Sequence, residues 1–194
     1  MENIKKTVNF LIELAGAKTA PRTGWQRIGI KTPESLADHC ALSGQIAYIL
    51  AAMEGANAER AAALALFHDV DELRIGDQNW VGRAYGDLKN QEAGARKDQL
   101  DGLPVGPKIM DLQNEAEDCK TKEAQIACDA NLLDMAIQAK YYVANGNKKA
   151  NLWAESVKGA FKTESAKQIF ARLDGAEIED WWMEIPSIKE RFKK

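Results

Sequence analysis

The chain has only two histidines, and both fall among residues able to bind a metal ion. His68 is followed at once by Asp69, then by Asp71, Glu72 and Asp77, within AAALALFHDVDELRIGD over 61–77. The apolar run that opens this stretch calls for burial. Ionisable groups at the end of a buried segment are costly unless they are paired or hold a metal. His39 lies beside the stripe Leu36, Cys40, Ser43, Ala47 and Leu50, so a separate helix carries the second imidazole. Imidazole with carboxylate suits a borderline divalent ion such as Mn²⁺, Co²⁺, Ni²⁺ or Zn²⁺, whereas an all-oxygen set suits Mg²⁺ or Ca²⁺. Spacing alone leaves another reading open, in which the histidines are hydrogen-bonded core residues and Asp69 caps a helix. A further group with chemical potential is TAPRTGWQRIGI over 19–30, a stretch without helical period that carries Arg22, Trp25 and Arg27. Guanidinium grips phosphate and indole offers a flat face.

The elements that must position these groups all read as helices. Val8, Phe10, Leu11, Ile12 and Leu14 share one face of a helix over 2–17. Thr32 as N-cap, Pro33 at the first helical position and Glu34 in the first turn predict a helix over 33–53, stopped by Gly55. Asn57 can cap the next helix, which runs into the His-Asp pair and ends before Gly76. Residues 78–85 read as irregular, 87–99 as a solvated helix and 102–107 as a break. Residues 108–144 form two consecutive helices or one bent one, and the tail holds two or three shorter helices anchored by Trp153, Phe161, Ile169, Phe170, Trp181 and Trp182. No stretch alternates with period two, so the expected class is all-α.

Bulk properties narrow the partners. With 194 residues, 45% of them apolar and 28% charged, the chain suits one domain over 1–194. A formal charge of −3 and no basic cluster exclude an electrostatic footprint for nucleic acid or anionic lipid, which leaves a small partner. No apolar run has membrane-spanning length, and Met1-Glu2-Asn3-Ile4 lacks a signal peptide's layout, so the expected location is the cytoplasm. The three cysteines, Cys40, Cys119 and Cys128, are widely spaced and read as reduced, buried small hydrophobes.

Several motifs together resemble one family. Pro21-Arg22-Thr23-Gly24-Trp25, Glu34-Ser35-Leu36-Ala37-Asp38-His39, the segment LFHDVDELRIGD over 66–77 and DANLLDMAIQAKYY over 129–142 are similar to the HD-domain metal-dependent phosphohydrolases, in particular the 5′-deoxynucleotidase-like branch. The resemblance covers about 10–142, with 147–194 as C-terminal helices. It implies an all-α bundle with the metal site between helices. His39, His68 and Asp69 fall on three of the family's metal ligands for one divalent ion, Mn, Co, Ni, Zn or Mg. Glu72 and Asp77 match two further carboxylates, Glu72 as general acid or base and Asp77 as positioner of the water. Arg22 and Trp25 match a loop that contacts phosphate and sugar. The implied activity is release of phosphate from a small phosphomonoester, most plausibly a nucleoside 5′-monophosphate, by a homodimer.

Two departures matter. Where the family carries a fourth ligand Asp, this chain has Asn131, which offers a neutral carbonyl and no bidentate option. Asp129 is two residues away, roughly 200° around the helix, on a side it shares with Lys122 and Lys140, and is expected to be a solvated charge. Asn131 is therefore expected at the metal. It also supports an alternative, a nucleotide-binding or regulatory protein that keeps the pocket with weakened turnover. Residues 78–83, Gln78-Asn79-Trp80-Val81-Gly82-Arg83, replace a more Pro-containing run and are expected to wall the substrate pocket. A phosphodiesterase or triphosphohydrolase remains open within the same chemistry.

Overall fold

The computed structural model describes residues 2–192; residues 1, 193 and 194, the ends of the expected domain, lie outside them. Thirteen α-helices follow one another among the described residues, with no strand and only an isolated bridge between Pro21 and Ser35. The class is all-α, as expected.

α1 (Glu2–Ala15) packs Phe10 beside Val70, Leu100, Leu103 and Ile109, and a short α2 (Thr23–Gln26) forms within the Arg22-Trp25 loop. α3 (Leu36–Glu54) starts three residues later than predicted. Ser35, not Thr32, caps it: the Ser35 side chain accepts from Asp38 N–H while the Asp38 carboxylate accepts from Ser35 N–H. Glu34 stays outside the helix because its N–H donates to Tyr142 Oη and its carbonyl accepts from Arg22 N–H.

α4 (Ala58–Phe67), capped by Asn57, ends at the His-Asp pair instead of running on towards Gly76. The turn that follows leads into the single-turn α5 (Glu72–Ile75), closed by Gly76 at φ +78. Gln99 Nε2 donates to the Val70 carbonyl and Arg96 Nε to Asp71, so side chains from elsewhere satisfy the turn that interrupts the helix. The stretch expected to be irregular contains α6 (Trp80–Tyr85), because Asn79 Oδ1 accepts from Val81 and Gly82 N–H. α7 (Leu88–Leu100) buries Ala95, Arg96, Gln99 and Leu100, so it is solvated on one side only.

α8 (Gly106–Asp118) and α9 (Lys122–Ala144) are consecutive helices joined by a tight turn. That turn brings Cys119 and Cys128 together as a disulfide with Cα atoms 6.6 Å apart, which corrects the expectation of three free thiols; Cys40 is free and buried. α10 (Asn151–Ser156), α11 (Glu164–Leu173), α12 (Asp180–Met183) and α13 (Pro186–Lys189) complete the chain. No described helix is long and apolar enough to cross a membrane.

α3, α4 and α9 form the centre, with Leu50, Leu64 and Leu133 fully buried among Ala47, Ala51, Ala61, Ala65 and Ala130. Each such leucine contributes about 2–3 kcal/mol of apolar burial. The small residues let the helix axes approach. At Gly44 a Cβ would stand 2.8 Å from Leu66 Cγ, so glycine lets α3 cross α4 without displacing that half-exposed side chain. Close approach at this crossing brings the first turn of α3 to the end of α4, and with it His39 to His68.

Candidate metal centre

His39 is presented by the first turn of α3, and His68 and Asp69 by the point where α4 stops. His39 Nε2 lies 3.4 Å from His68 Nε2 and 3.5 Å from Asp69 Oδ2, and His68 Nε2 lies 3.1 Å from the same oxygen. The other nitrogen of each ring is tied. His68 Nδ1 donates to the Ala65 carbonyl at 2.7 Å, and His39 Nδ1 is hydrogen-bonded to Asp134 Oδ2. With Nδ1–H engaged on both rings, two imidazole lone pairs and a carboxylate oxygen face one point. Like lone pairs repel unless a cation lies between them, so this donor set fits a divalent ion. Burial opposes ionisation of Asp69, but the Arg22 guanidinium beside it favours the charged form and its carboxyl lies well below the usual range, so it is available as an anionic ligand.

Asp134 was not foreseen as a partner of His39. Its spacing, three residues after Asn131 on α9, is the sequence signal, since i and i+3 share a face. An acid on the far nitrogen of a metal-binding histidine fixes ring and tautomer and raises its basicity. Asp134 Oδ1 is buried without a partner among the described residues. Asn131 lines the same cavity as His68 and Asp69. Asp129 does not. It is fully buried on the other side of α9, where it accepts from the backbone N–H of Lys162 and Thr163 and from Thr163 Oγ1. The expectation of a solvated Asp129 is thereby corrected; the chain folds back over it at 162–163.

Glu72 and Asp77 border the centre with different surroundings. Glu72 is buried, with Oε2 lacking a hydrogen bond and the nearest cations at 3.6 Å (Arg22) and 3.9 Å (Arg83). Burial, aided by the charges of Asp69 and Asp77, pushes its carboxyl up to about 9, so it carries a proton at neutral pH. Asp77 Oδ2 accepts from Thr23 N–H at 2.6 Å and Thr23 Oγ1 at 2.8 Å, and Oδ1 lies 2.7 Å from Arg22 Nη1. Both of its oxygens thus engage the loop.

Arg22 Nη1 also reaches Asp69 Oδ2 at 3.2 Å. Burial works against its charge, but Asp69, Asp77 and Glu72 outweigh that and raise its pKa. Trp25 is only 2% exposed. It donates Nε1–H to Glu34 at 2.8 Å and packs against Tyr142 and Trp153, with ring centres 5.0 and 5.1 Å away. The expected open face for a sugar or base is therefore absent, and the indole packs as part of the core. Trp80, 52% exposed and stacked on Trp153 at 4.7 Å, presents an open face beside this cluster, and Trp181, expected as a packing anchor of the tail, is 70% exposed.

A family model described as HD domain matches residues 14–173. The 5′-deoxynucleotidase HDDC2 of Dictyostelium discoideum is 30% identical over 172 residues, 81% of this chain and 90% of that protein. The 5′-deoxynucleotidase hdd1 of Schizosaccharomyces pombe is 32% identical over 152 residues, 75% of this chain and 76% of that protein. A conserved hypothetical protein from Pyrococcus furiosus superposes with a TM-score of 0.76 at 27% identity, covering 87% of this chain and 99% of its own.

Proposed function

The chain belongs to the HD-domain family of metal-dependent phosphohydrolases, and from that premise we propose that it releases phosphate from nucleoside 5′-monophosphates. The observation that carries this reading is the convergence of His39 Nε2, His68 Nε2 and Asp69 Oδ2, with both Nδ1 atoms already tied.

In this reading His39, His68 and Asp69 hold one divalent ion, with Asn131 as a neutral fourth donor. When bound, such an ion supplies a water of lowered pKa and offsets charge on phosphoryl oxygens. Arg22 orients the phosphate through its fork of donors, and Asp77 with Thr23 holds the Arg22 loop in place. Glu72 keeps a proton at its unpartnered Oε2 and gives it to the leaving oxygen, which turns a poor alkoxide into an alcohol. Asp134 keeps the His39 lone pair aimed at the centre. A homodimer is part of the same proposal; Ile4, Val8, Leu11 and Ile12 leave an apolar face of α1 exposed, the kind of surface that subunit contact covers.

The test is phosphate release from ribo- and deoxynucleoside monophosphates by metal-stripped protein given Mn²⁺, Co²⁺, Ni²⁺, Zn²⁺ or Mg²⁺, with His68→Ala alongside. Release should require added metal and fall by about 10³-fold in the variant, the equivalent of several kcal/mol of lost transition-state stabilisation. Asn131 favours a second reading, a nucleotide-binding protein of weakened turnover. It predicts no release with any metal, yet a stabilisation of about 2.7 kcal/mol by nucleotide at a hundredfold excess over Kd.

A further inference from the structure

One buried side chain in the cavity beside the metal centre has no role in the chemistry above. The cavity encloses about 220 Å³ and is lined by His68, Asp69, Gln113, Ala116, Ala127 and Asn131 together with charged side chains from α6, α7 and α8. Gln113 is 1% exposed, and neither its Nε2 nor its Oε1 has a hydrogen-bond partner among the described residues. Gln99, also buried, differs in degree: it spends its amide donors on Glu13 and on the Val70 carbonyl and leaves Oε1 alone unpartnered, whereas Gln113 leaves both amide atoms so. An orphaned carboxamide is destabilising where leucine or methionine would fit the same helix position, so a partner that arrives from outside would account for it.

We propose that Gln113 reads the nucleobase of the substrate, an inference that rests on the nucleotide reading of the same site. A carboxamide sets an acceptor and a donor side by side in one plane. The edges of nucleobases carry the matching adjacent pair, as in the two-point contact of glutamine with adenine. Phosphate does not match, because it has acceptors alone and would oppose Oε1. A sugar hydroxyl engages one amide atom at a time. Ala116 and Ala127, which line the same cavity, are small and apolar and leave room for a flat ring. No neighbour fixes which way the amide faces, so donor and acceptor can be offered in either order. Gln113 thus favours a base over no base while accepting both adenine and thymine.

The experiment compares kcat/KM for deoxyadenosine 5′-monophosphate, thymidine 5′-monophosphate and 2-deoxyribose 5-phosphate in the wild type and in Gln113→Leu. Both nucleotides should lose about ten- to hundredfold, chiefly through KM, while the base-free sugar phosphate changes by less than about twofold. Gln113→Met, closer in shape, carries the same comparison if the leucine variant does not fold. Equal losses on all three substrates, or no loss on any, would overturn the assignment. Should the wild type release no phosphate from any of the three, the hydrolase reading fails by itself. Calorimetric binding of the same ligands then decides Gln113: weaker nucleotide binding in the variant upholds it, and unchanged or absent binding overturns it.

Discussion

Asp129 and Asp134 sit five residues apart on α9, both fully buried, and the molecule treats them in opposite ways. Asp129 is saturated, with Oδ1 accepting from Lys162 N–H at 2.9 Å and Oδ2 from Thr163 N–H and Oγ1 at 2.7 Å each. Thr163 in turn caps α11, so this carboxylate fastens the end of the chain to the bundle. Asp134 has His39 on one oxygen and nothing on the other. Burial does not distinguish them; hydrogen-bond completeness does. A buried charge whose valences are all met is part of the architecture. One left partly unmet beside a histidine is held ready for something else.

The contrast can be broken most forcefully at Asp129. Asp129→Ala leaves the 162–163 amides without their acceptor and should cost about 3–4 kcal/mol, roughly 10 °C in melting temperature for a chain of this size, with metal affinity unchanged. A stable variant that no longer binds metal would invert the assignment. Next comes Asp134→Asn, which should bind divalent metal about ten- to hundredfold more weakly in a competition titration while its melting temperature hardly moves. Unaltered affinity with a lowered melting temperature would make Asp134 structural as well.

A smaller effect sharpens the comparison through Glu34. Burial, with the charge of Asp134 nearby, raises its carboxyl to about 7. Because the folded pKa lies above the unfolded one, the native state holds a proton that the unfolded chain has released, and stability falls as pH rises from about 4.5 to 7. Glu34→Gln keeps an acceptor for Trp25 and removes the titration. Its gain in stability over the wild type, in metal-stripped protein, should be near zero at pH 4 and reach about 3 kcal/mol at pH 8. Parallel pH profiles for the two proteins would rule out the Asp134 neighbourhood as the source.

Much of this was legible in the sequence because it is local. Helical periodicity gave the all-α class, and His68-Asp69 with His39 on a second apolar stripe pointed to the donor set that the fold brings together. Long-range closure was not legible. A helical projection groups Asp129 with Lys122 and Lys140, and nothing within α9 reveals that residues 33 and 34 positions further on fold over it. Trp25 looked like a free ring because its cover, Tyr142 and Trp153, comes from elements more than a hundred residues away. The start of α3 differs from the local signal for the same reason: Thr32 and Pro33 satisfy capping rules, but Glu34 is held outside the helix by Tyr142 and Arg22. Gln113 is one polar residue on a mixed helix, and only its spacing from Ile109 and Ala116 marks it as lying on the buried face.

The stacked indoles of Trp25, Trp153 and Trp80 join three separate parts of the chain: the Arg22 loop, α10 and the segment that walls the cavity. Rings in such contact share excitation energy, and only Trp80 meets solvent on a wide face. The protein therefore carries a label-free optical gauge. A change in the packing of these rings is expected to alter near-ultraviolet dichroism, which ligand or metal addition to wild-type protein can test directly.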